Sequence, residues 1–247
     1  LYRGIYSPRW IKGRGLRVWH VKYWRNVYTT PDIMIQTRLC LIRHGETTWN
    51  TEKRLQGHTD VPLNSHGEAQ AVQMAQALKN IGLSFNALYT SDLKRAADTA
   101  NAIVQLFGIK AIINSDLRER HFGALQGLTT TEAPIAQPDI WKAHITRELD
   151  HDLDGGESIA QFAARIQRAL ENLRQQHPGE TILVVSHGGA LDMAYRIASG
   201  QSLSAERTVS VPNASLNWIT HNGNQWAIES WADTKHLEGF SLENIDL

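Results

Sequence analysis

Two histidines, each set directly after a short apolar run and directly before a glycine, carry the chemistry this sequence offers. The first is His44, in Leu39-Cys40-Leu41-Ile42-Arg43-His44-Gly45. The second is His187, in Thr181-Ile182-Leu183-Val184-Val185-Ser186-His187-Gly188-Gly189. Apolar runs this short read as buried strands, and in an open α/β sheet ligands bind at the carboxyl ends of the strands. Gly45 lets the backbone turn there and approach a ligand closely. Neutral imidazole is abundant near pH 7 and nucleophilic. Arginine keeps its charge and meets phosphate oxygens with a fork of donors. Arg43 can therefore hold a phosphate that the His44 imidazole attacks. Arg95 supplies a second guanidinium from the first turn of a helix that Ser91 caps, where it and the free N–H groups of the helix end can point at one anion. An alkoxide leaves poorly, so breaking a phosphate ester also needs a carboxylic acid to protonate it. Acidic residues abound and spacing alone does not choose among them. Glu119 is the best placed, between a short strand and the Phe122-Gly123 turn.

The elements that must position these groups alternate between strand and helix. Arg54, Gln56, Gly57, Asp60, Pro62 and Leu63 form a turn-rich loop after the first strand. Ser65 with Glu68 reads as a capping box, opening a helix that Gly82 ends. A strand over 87–90 and a helix with a core face from Leu93 to Phe107 follow, then a brief strand over 111–114. Residues 128–156 are irregular, with Pro134 and Pro138 breaking any long helix, and read as a small insertion beside the mouth of the sheet. Ser158 and Gln161 cap an amphipathic helix that ends before Pro178-Gly179. The strand 181–186 has the continuous apolarity of a central parallel strand, and a helix closed by Gly200 follows it. Residues 215–221 and 225–231 flank Asn222-Gly223, a hairpin at a sheet edge. The pattern is an α/β fold.

The chain of 247 residues, 42% hydrophobic, suffices for one sizeable core. Its 25 basic and 25 acidic residues give no reason to expect nucleic-acid or membrane binding. Residues 1–33 differ from the rest: seven Lys/Arg stand against Asp32 alone, among Trp10, Trp19 and Trp24 and four tyrosines. They read as an atypical basic-aromatic extension, in one reading a non-native start with Met34 the initiator, in the other an arm for an anionic surface. Cys40, the single cysteine, excludes an internal disulfide and suits a reducing, cytoplasmic setting. No run approaches a transmembrane span in length.

From Arg38 to about Trp231 the chain resembles the histidine phosphatase superfamily, in its phosphoglycerate-mutase-like branch. The resemblance rests on Leu-Ile-Arg-His-Gly-Glu-Thr at 41–47, Trp49-Asn50, the segment 54–64, Gly-Glu-Ala-Gln-Ala at 67–71, and the segment 91–100. Arg-Glu-Arg-His-Phe-Gly at 118–123, Gly-Gly-Glu-Ser at 155–158 and Val-Val-Ser-His-Gly-Gly at 184–189 complete it. It implies a three-layer α/β/α domain over 34–247 with a mostly parallel central sheet, the 128–156 insertion near the active site and the edge hairpin. It implies His44 as the nucleophile that becomes phosphohistidine, and Glu119 as the proton donor that later activates water. Arg43, Asn50, Arg95, His187 and backbone donors of Gly188 would hold the phosphate, with Gln56 and Gly57 lining the entrance. The implied partner is a small phosphomonoester, not nucleic acid or membrane. A homodimer is compatible with the resemblance, and no metal or organic cofactor is implied.

Taken singly, Arg43 could be a salt-bridge partner, His187 a satisfied strand-end residue, Asn50 a helix cap and Arg95 an exposed charge; the set converging on one sheet edge speaks for a site. His58, His66, His121, His144, His151 and His177 read as loop or surface residues, with His121 beside Phe122 the one that could touch substrate. Asp150, Asp152, Asp154 and Gly155 match the first half of a calcium loop, but Gln161 takes the place of its bidentate carboxylate and calcium is rejected. Leu125-Gln126-Gly127 resembles the mutases and His187-Gly188-Gly189 the phosphatases. The short segment between Gly127 and Gly155 lacks the adjacent arginine pair with which mutases grip a second acidic group. The expectation is a phosphatase of small phosphorylated metabolites. The alternatives are a 2,3-bisphosphoglycerate-dependent phosphoglycerate mutase, a non-catalytic phosphate-binding module, and an arm-driven binder of anionic polymers.

Overall fold

The computed structural model describes residues 36–238, and the expectations for residues 1–33 and Met34 lie outside them. Thr37–Arg43 forms β1, whose side chains alternate between two helical layers. Leu39 and Leu41 join one core and Cys40 and Ile42 the other. The period of two in a strand requires this division, and helices on both faces explain why the run is apolar throughout.

On the first face pack α6 (Ile159–Gln176) and α7 (Gly188–Ser199). On the second pack α2 (Ser65–Asn80) and α3 (Lys94–Phe107). The sheet between them adds β2 (Ala87–Thr90), β3 (Ala111–Ile113), β4 (Thr181–Ser186), β5 (Leu216–His221) and β6 (Trp226–Asp233). Its order among the described residues is β3-β2-β4-β1-β5-β6. Strands β3, β2, β4 and β1 run parallel, while β5 and β6 form the antiparallel hairpin. The result is a three-layer α/β/α sandwich with β1 and β4 at its centre, paired in register from Arg38–Thr181 to Arg43–Ser186. Both histidine loops therefore leave the same end of adjacent strands.

The helix caps depart from local expectation. Asn64, not Ser65, caps α2, its Oδ1 accepting the Gly67 N–H at 2.8 Å. Ser91 does not cap α3; the Lys94 N–H donates instead to Oδ1 of the distant Asp60 at 2.7 Å. The Ser158–Gln161 capping box forms as expected. Pro134 and Pro138 begin helices as well as breaking them, in the first turns of α4 (Ala133–Ala136) and α5 (Pro138–Ile145), since proline tolerates that turn. Leu55, Leu125, Ala133 and Leu153 form a small separate core there, with Phe122 and Trp141 against it. Cys40 is fully buried and burial pushes its thiol up, so it packs as an apolar residue. Among the described residues no helix is long and apolar enough to cross a membrane.

Candidate active site

Arg43 ends β1 and His44 follows it, tied to β4 by the His44 N–H donating to the Ser186 carbonyl at 2.9 Å. The His44 carbonyl accepts from Nδ2 of Asn213 at 2.9 Å. The ring then has little freedom. Its Nδ1 lies 2.7 Å from the Gly45 carbonyl. A carbonyl can only accept, so Nδ1 carries the proton and the lone pair sits on Nε2. Burial, then Arg95 and Arg43, hold the His44 pKa well below the ordinary imidazole value. The fold therefore favours the neutral imidazole.

Gly45 has a different reason from the one its place suggests. A Cβ there would overlap the Gly67 carbonyl, so its glycine lets the start of α2 pack against the loop.

His187 precedes α7, and its ring centroid lies 5.2 Å from that of His44, with planes tilted by 59°. Its Nε2 lies 2.8 Å from Oγ of Ser91. Its Nδ1 is buried without a hydrogen-bond partner. Burial, Arg95 and His44, in that order, push its pKa far down. Arg95, 1% exposed, donates from Nη1 to the Thr59 carbonyl at 3.0 Å and from Nη2 to the Gly57 carbonyl at 2.8 Å. Its Nε is also buried without a partner, and burial pulls its pKa down to about 10. At that helix end one of the free N–H groups, that of Lys94, is taken by Asp60. Arg43 is buried and donates to the Val211 carbonyl at 2.5 Å.

Glu119 comes from the loop after β3. Its Oε1 accepts the Arg120 N–H at 2.7 Å and its Oε2 the Gly189 N–H at 2.8 Å. A Cβ at position 189 would overlap the Glu119 carboxylate, so Gly189 is the residue that admits the acid. The Glu119 carbonyl is held from below by Nη2 of Arg165 at 3.0 Å and lies 2.8 Å from Nε2 of His58. Asn50, Gln56, Gly57, Arg95 and Glu119 line one cleft with Trp49 and Phe122. The Asn50 Oδ1 is spent on capping α1 (Thr48–Thr51), accepting from the Thr47 N–H at 3.0 Å. Gly188 is the first residue of α7.

The structure thus gathers His44, His187, Arg95 and Arg43 at the ends of β1 and β4, with Asn50, Gln56, Gly57 and Glu119 around the adjoining cleft. Sequence reasoning missed Ser91, Gly189, Arg165 and His58 as supports, because each acts on a residue far away in the chain. His58 and His144 are half-buried rather than surface residues, since His58 packs on His121 at 4.8 Å and His144 against Phe122 at 5.4 Å. The backbone N–H of His121 donates to Glu157 Oε2 at 2.9 Å. Glu157 pairs with Arg165 at 2.6 Å and Gln161 serves its cap, so neither serves a calcium loop. Among the described residues no group of three or more His, Cys, Asp or Glu is placed to hold a metal ion.

Comparison with known proteins agrees with this arrangement. The model of the histidine phosphatase superfamily (branch 1) matches residues 39–234. A metal-independent phosphoserine phosphatase of Arabidopsis thaliana is 40% identical over 224 residues, 88% of this chain and 92% of that protein. Phosphoglycerate mutase-like protein 4 of the same plant is 39% identical over 203 residues, covering 81% and 86%. Among solved structures, a phosphoserine phosphatase mutant from Entamoeba histolytica in complex with phosphoserine superposes with a TM-score of 0.73 at 28% identity, covering 81% of this chain and 99% of that one. With the fold, both strand-end histidines and the family match in agreement, the chain belongs to the histidine phosphatase superfamily, branch 1.

Proposed function

We propose that this protein hydrolyses small phosphomonoesters through a phosphohistidine formed on His44. The observation that carries the reading is the His44 imidazole itself. It is neutral, its proton is fixed on Nδ1 by the Gly45 carbonyl, and His187 and two buried arginines surround it. In the first step the Nε2 lone pair bonds to phosphorus while the ester P–O bond breaks, and protonated Glu119 gives its proton to the departing oxygen. In the second, Glu119 takes a proton from water as that water attacks phosphorus. The P–N bond breaks, and inorganic phosphate and neutral His44 are restored. Arg43, Arg95 and the Nδ1 side of His187 stabilise the charge that spreads over the phosphoryl oxygens. Asn50, with Gly188 at the start of α7, completes the phosphate pocket, and Gln56 and Gly57 border its entrance.

Gln126, part of the mutase-like Leu125-Gln126-Gly127, spends its Oε1 on the N–H groups of His58 at 2.8 Å and Phe122 at 3.4 Å. It is a clamp between two loops. The test is phosphate release from a panel of monoesters in excess EDTA, with the native protein and with His44→Ala. Turnover by the native protein alone is expected. Equal turnover by both would refute the nucleophile, and isomerisation of 3-phosphoglycerate with a bisphosphate primer, faster than its hydrolysis, would favour the mutase.

A further inference from the structure

The run Gly155-Gly156-Glu157-Ser158 lies outside the cleft, yet its glutamate pairs with an arginine that has no donor to spare. Arg165, on α6, points every N–H of its guanidinium at a partner. Its Nε and Nη2 donate to the two carboxylate oxygens of Glu157 at 2.7 and 2.6 Å. Its Nη1 donates to the carbonyls of Asp116 and Arg118, both at 2.9 Å, and its Nη2 also to the carbonyl of Glu119 at 3.0 Å. The centroid of the Phe162 ring lies 5.0 Å from the guanidinium carbon. All three carbonyls belong to the segment that carries the candidate acid.

Glu157 ties the same segment a second time. Its Oε2 accepts the His121 N–H at 2.9 Å, its N–H donates to the His121 carbonyl at 2.9 Å, and its carbonyl accepts from Nε of Arg120 at 2.8 Å. Gly156 permits the close approach, since a Cβ there would overlap the His121 carbonyl. A carboxyl that serves first as acid and then as base accepts hydrogen bonds less well when it is protonated. The bonds from the Arg120 and Gly189 N–H groups to Glu119 therefore weaken when the proton is about to be given up. Bonds to the main chain do not change with that proton. They keep the carboxyl aimed in both states, and misplacing such a group by about 1 Å can cost about 100-fold in rate.

We propose that Arg165, held in place by Glu157, is the positioning residue of the general acid Glu119, and thereby decides how poor a leaving group the protein can expel. The proposal rests on the phosphatase reading above and deepens it. With every donor spent, Arg165 acts on substrate through Glu119.

Arg165→Lys is the test, because lysine keeps the charge, which His187 also feels, and loses the planar fork. For an alkyl ester such as glycerol 3-phosphate kcat should fall about tenfold or more, and for p-nitrophenyl phosphate, whose phenolate needs no proton, less than about threefold. The inhibition constant of inorganic phosphate should stay level. Glu157→Gln, which keeps the size of the pair and removes its charge, should shift the same ratio by less, and carries the comparison if the lysine variant fails to fold. Placed in a Glu119→Gln background, Arg165→Lys should slow neither ester further, as a residue acting through the acid requires. Equal slowing of both esters, or an undiminished further loss in the Glu119→Gln background, overturns the proposal. A crystal structure of Arg165→Lys reads the same point without turnover: Glu119 Oε2 should leave the Gly189 N–H, and a carboxylate still at its 2.8 Å contact overturns the positioning role. Failure of the native protein to hydrolyse any ester would count against the phosphatase reading instead, and the crystal structure alone would then decide for or against Arg165.

Discussion

Strand β4 has a histidine at each end, and the two differ in how their nitrogens are used. His177, before the strand, has Nδ1 2.7 Å from Glu180 Oε2 and Nε2 2.9 Å from Oη of Tyr89, and its carbonyl accepts from Oγ1 of Thr37. Both ring nitrogens and the carbonyl are engaged. His187, after the strand, is fully buried with Nδ1 unpartnered, and Arg95 beside it leaves Nε unpartnered. A buried polar atom without a partner costs free energy that folding alone does not repay. The unpaired nitrogens lie at the end of the strand where we propose that phosphate binds, and the paired ones staple strands together. Accounting for hydrogen bonds, more than residue type, separates the two ends.

The strongest way to break this contrast is to remove a histidine from each end. His44→Ala should lower kcat at least about 1000-fold, as loss of a covalent nucleophile does. His177→Gln should leave kcat within about twofold but cost about 1–2 kcal/mol of stability, since it removes the contacts to Glu180 and Tyr89. Steady-state kinetics and a thermal melt on both proteins decide the matter. A His177 variant as slow as the His44 variant would sink the division into working and structural ends.

Glu119→Gln sharpens the same contrast from the leaving-group side. It should slow alkyl phosphates about 100-fold or more, within the range for general acid catalysis, and p-nitrophenyl phosphate far less, because that phenolate leaves without a proton. Equal slowing of both would deny Glu119 the role of acid. Gly189→Ala should act more mildly, about tenfold on kcat, by pushing the carboxylate that donor and acceptor geometry now hold; a crystal structure of the variant would show Glu119 displaced.

Much of this site was legible before any coordinates. The runs at 39–42 and 181–186 announce central strands because helices cover both sheet faces and leave no polar side. Short-range patterns also found the Ser158–Gln161 cap. They failed where a long-range partner won. Ser91 looks like a helix cap, yet its Oγ meets His187, 96 positions away, and Asp60 takes over the helix end from 34 positions away.

The next effect is pH-dependent. In the fold, His44 and His187 resist protonation, His144 is pushed down to about 3, and burial is the first cause in each case. The unfolded chain takes up protons on the same residues near pH 6.5, so it binds more protons than the fold below that pH. Stability is therefore full above about pH 6.5 and falls as the medium becomes more acidic, by up to about 1.4 kcal/mol per pH unit for each such histidine. Denaturant melts from pH 7.5 to 5 should show this slope, and His44→Ala should reduce it. A flat profile would mean that the buried imidazoles are protonated in the fold.

The smallest expected effect probes Ser91. A hydroxyl can donate to or accept from imidazole, so its 2.8 Å contact with Nε2 fixes the His187 ring without dictating its tautomer. Because the contact lies on the far side of the ring from Nδ1, Ser91 acts on phosphate only through the ring's orientation. Ser91→Ala should therefore lower kcat about threefold and raise the inhibition constant for inorganic phosphate by a similar factor, the loss expected for one neutral hydrogen bond. Ser91→Thr retains the hydroxyl and should recover most of both. If Ser91 were merely a helix cap, alanine would lower the melting temperature of α3 packing and leave phosphate inhibition where it was. The two readings thus predict opposite patterns in a single pair of measurements. The inhibition constant is the more telling of the two, because a loosened cap has no route to it except through the His187 ring.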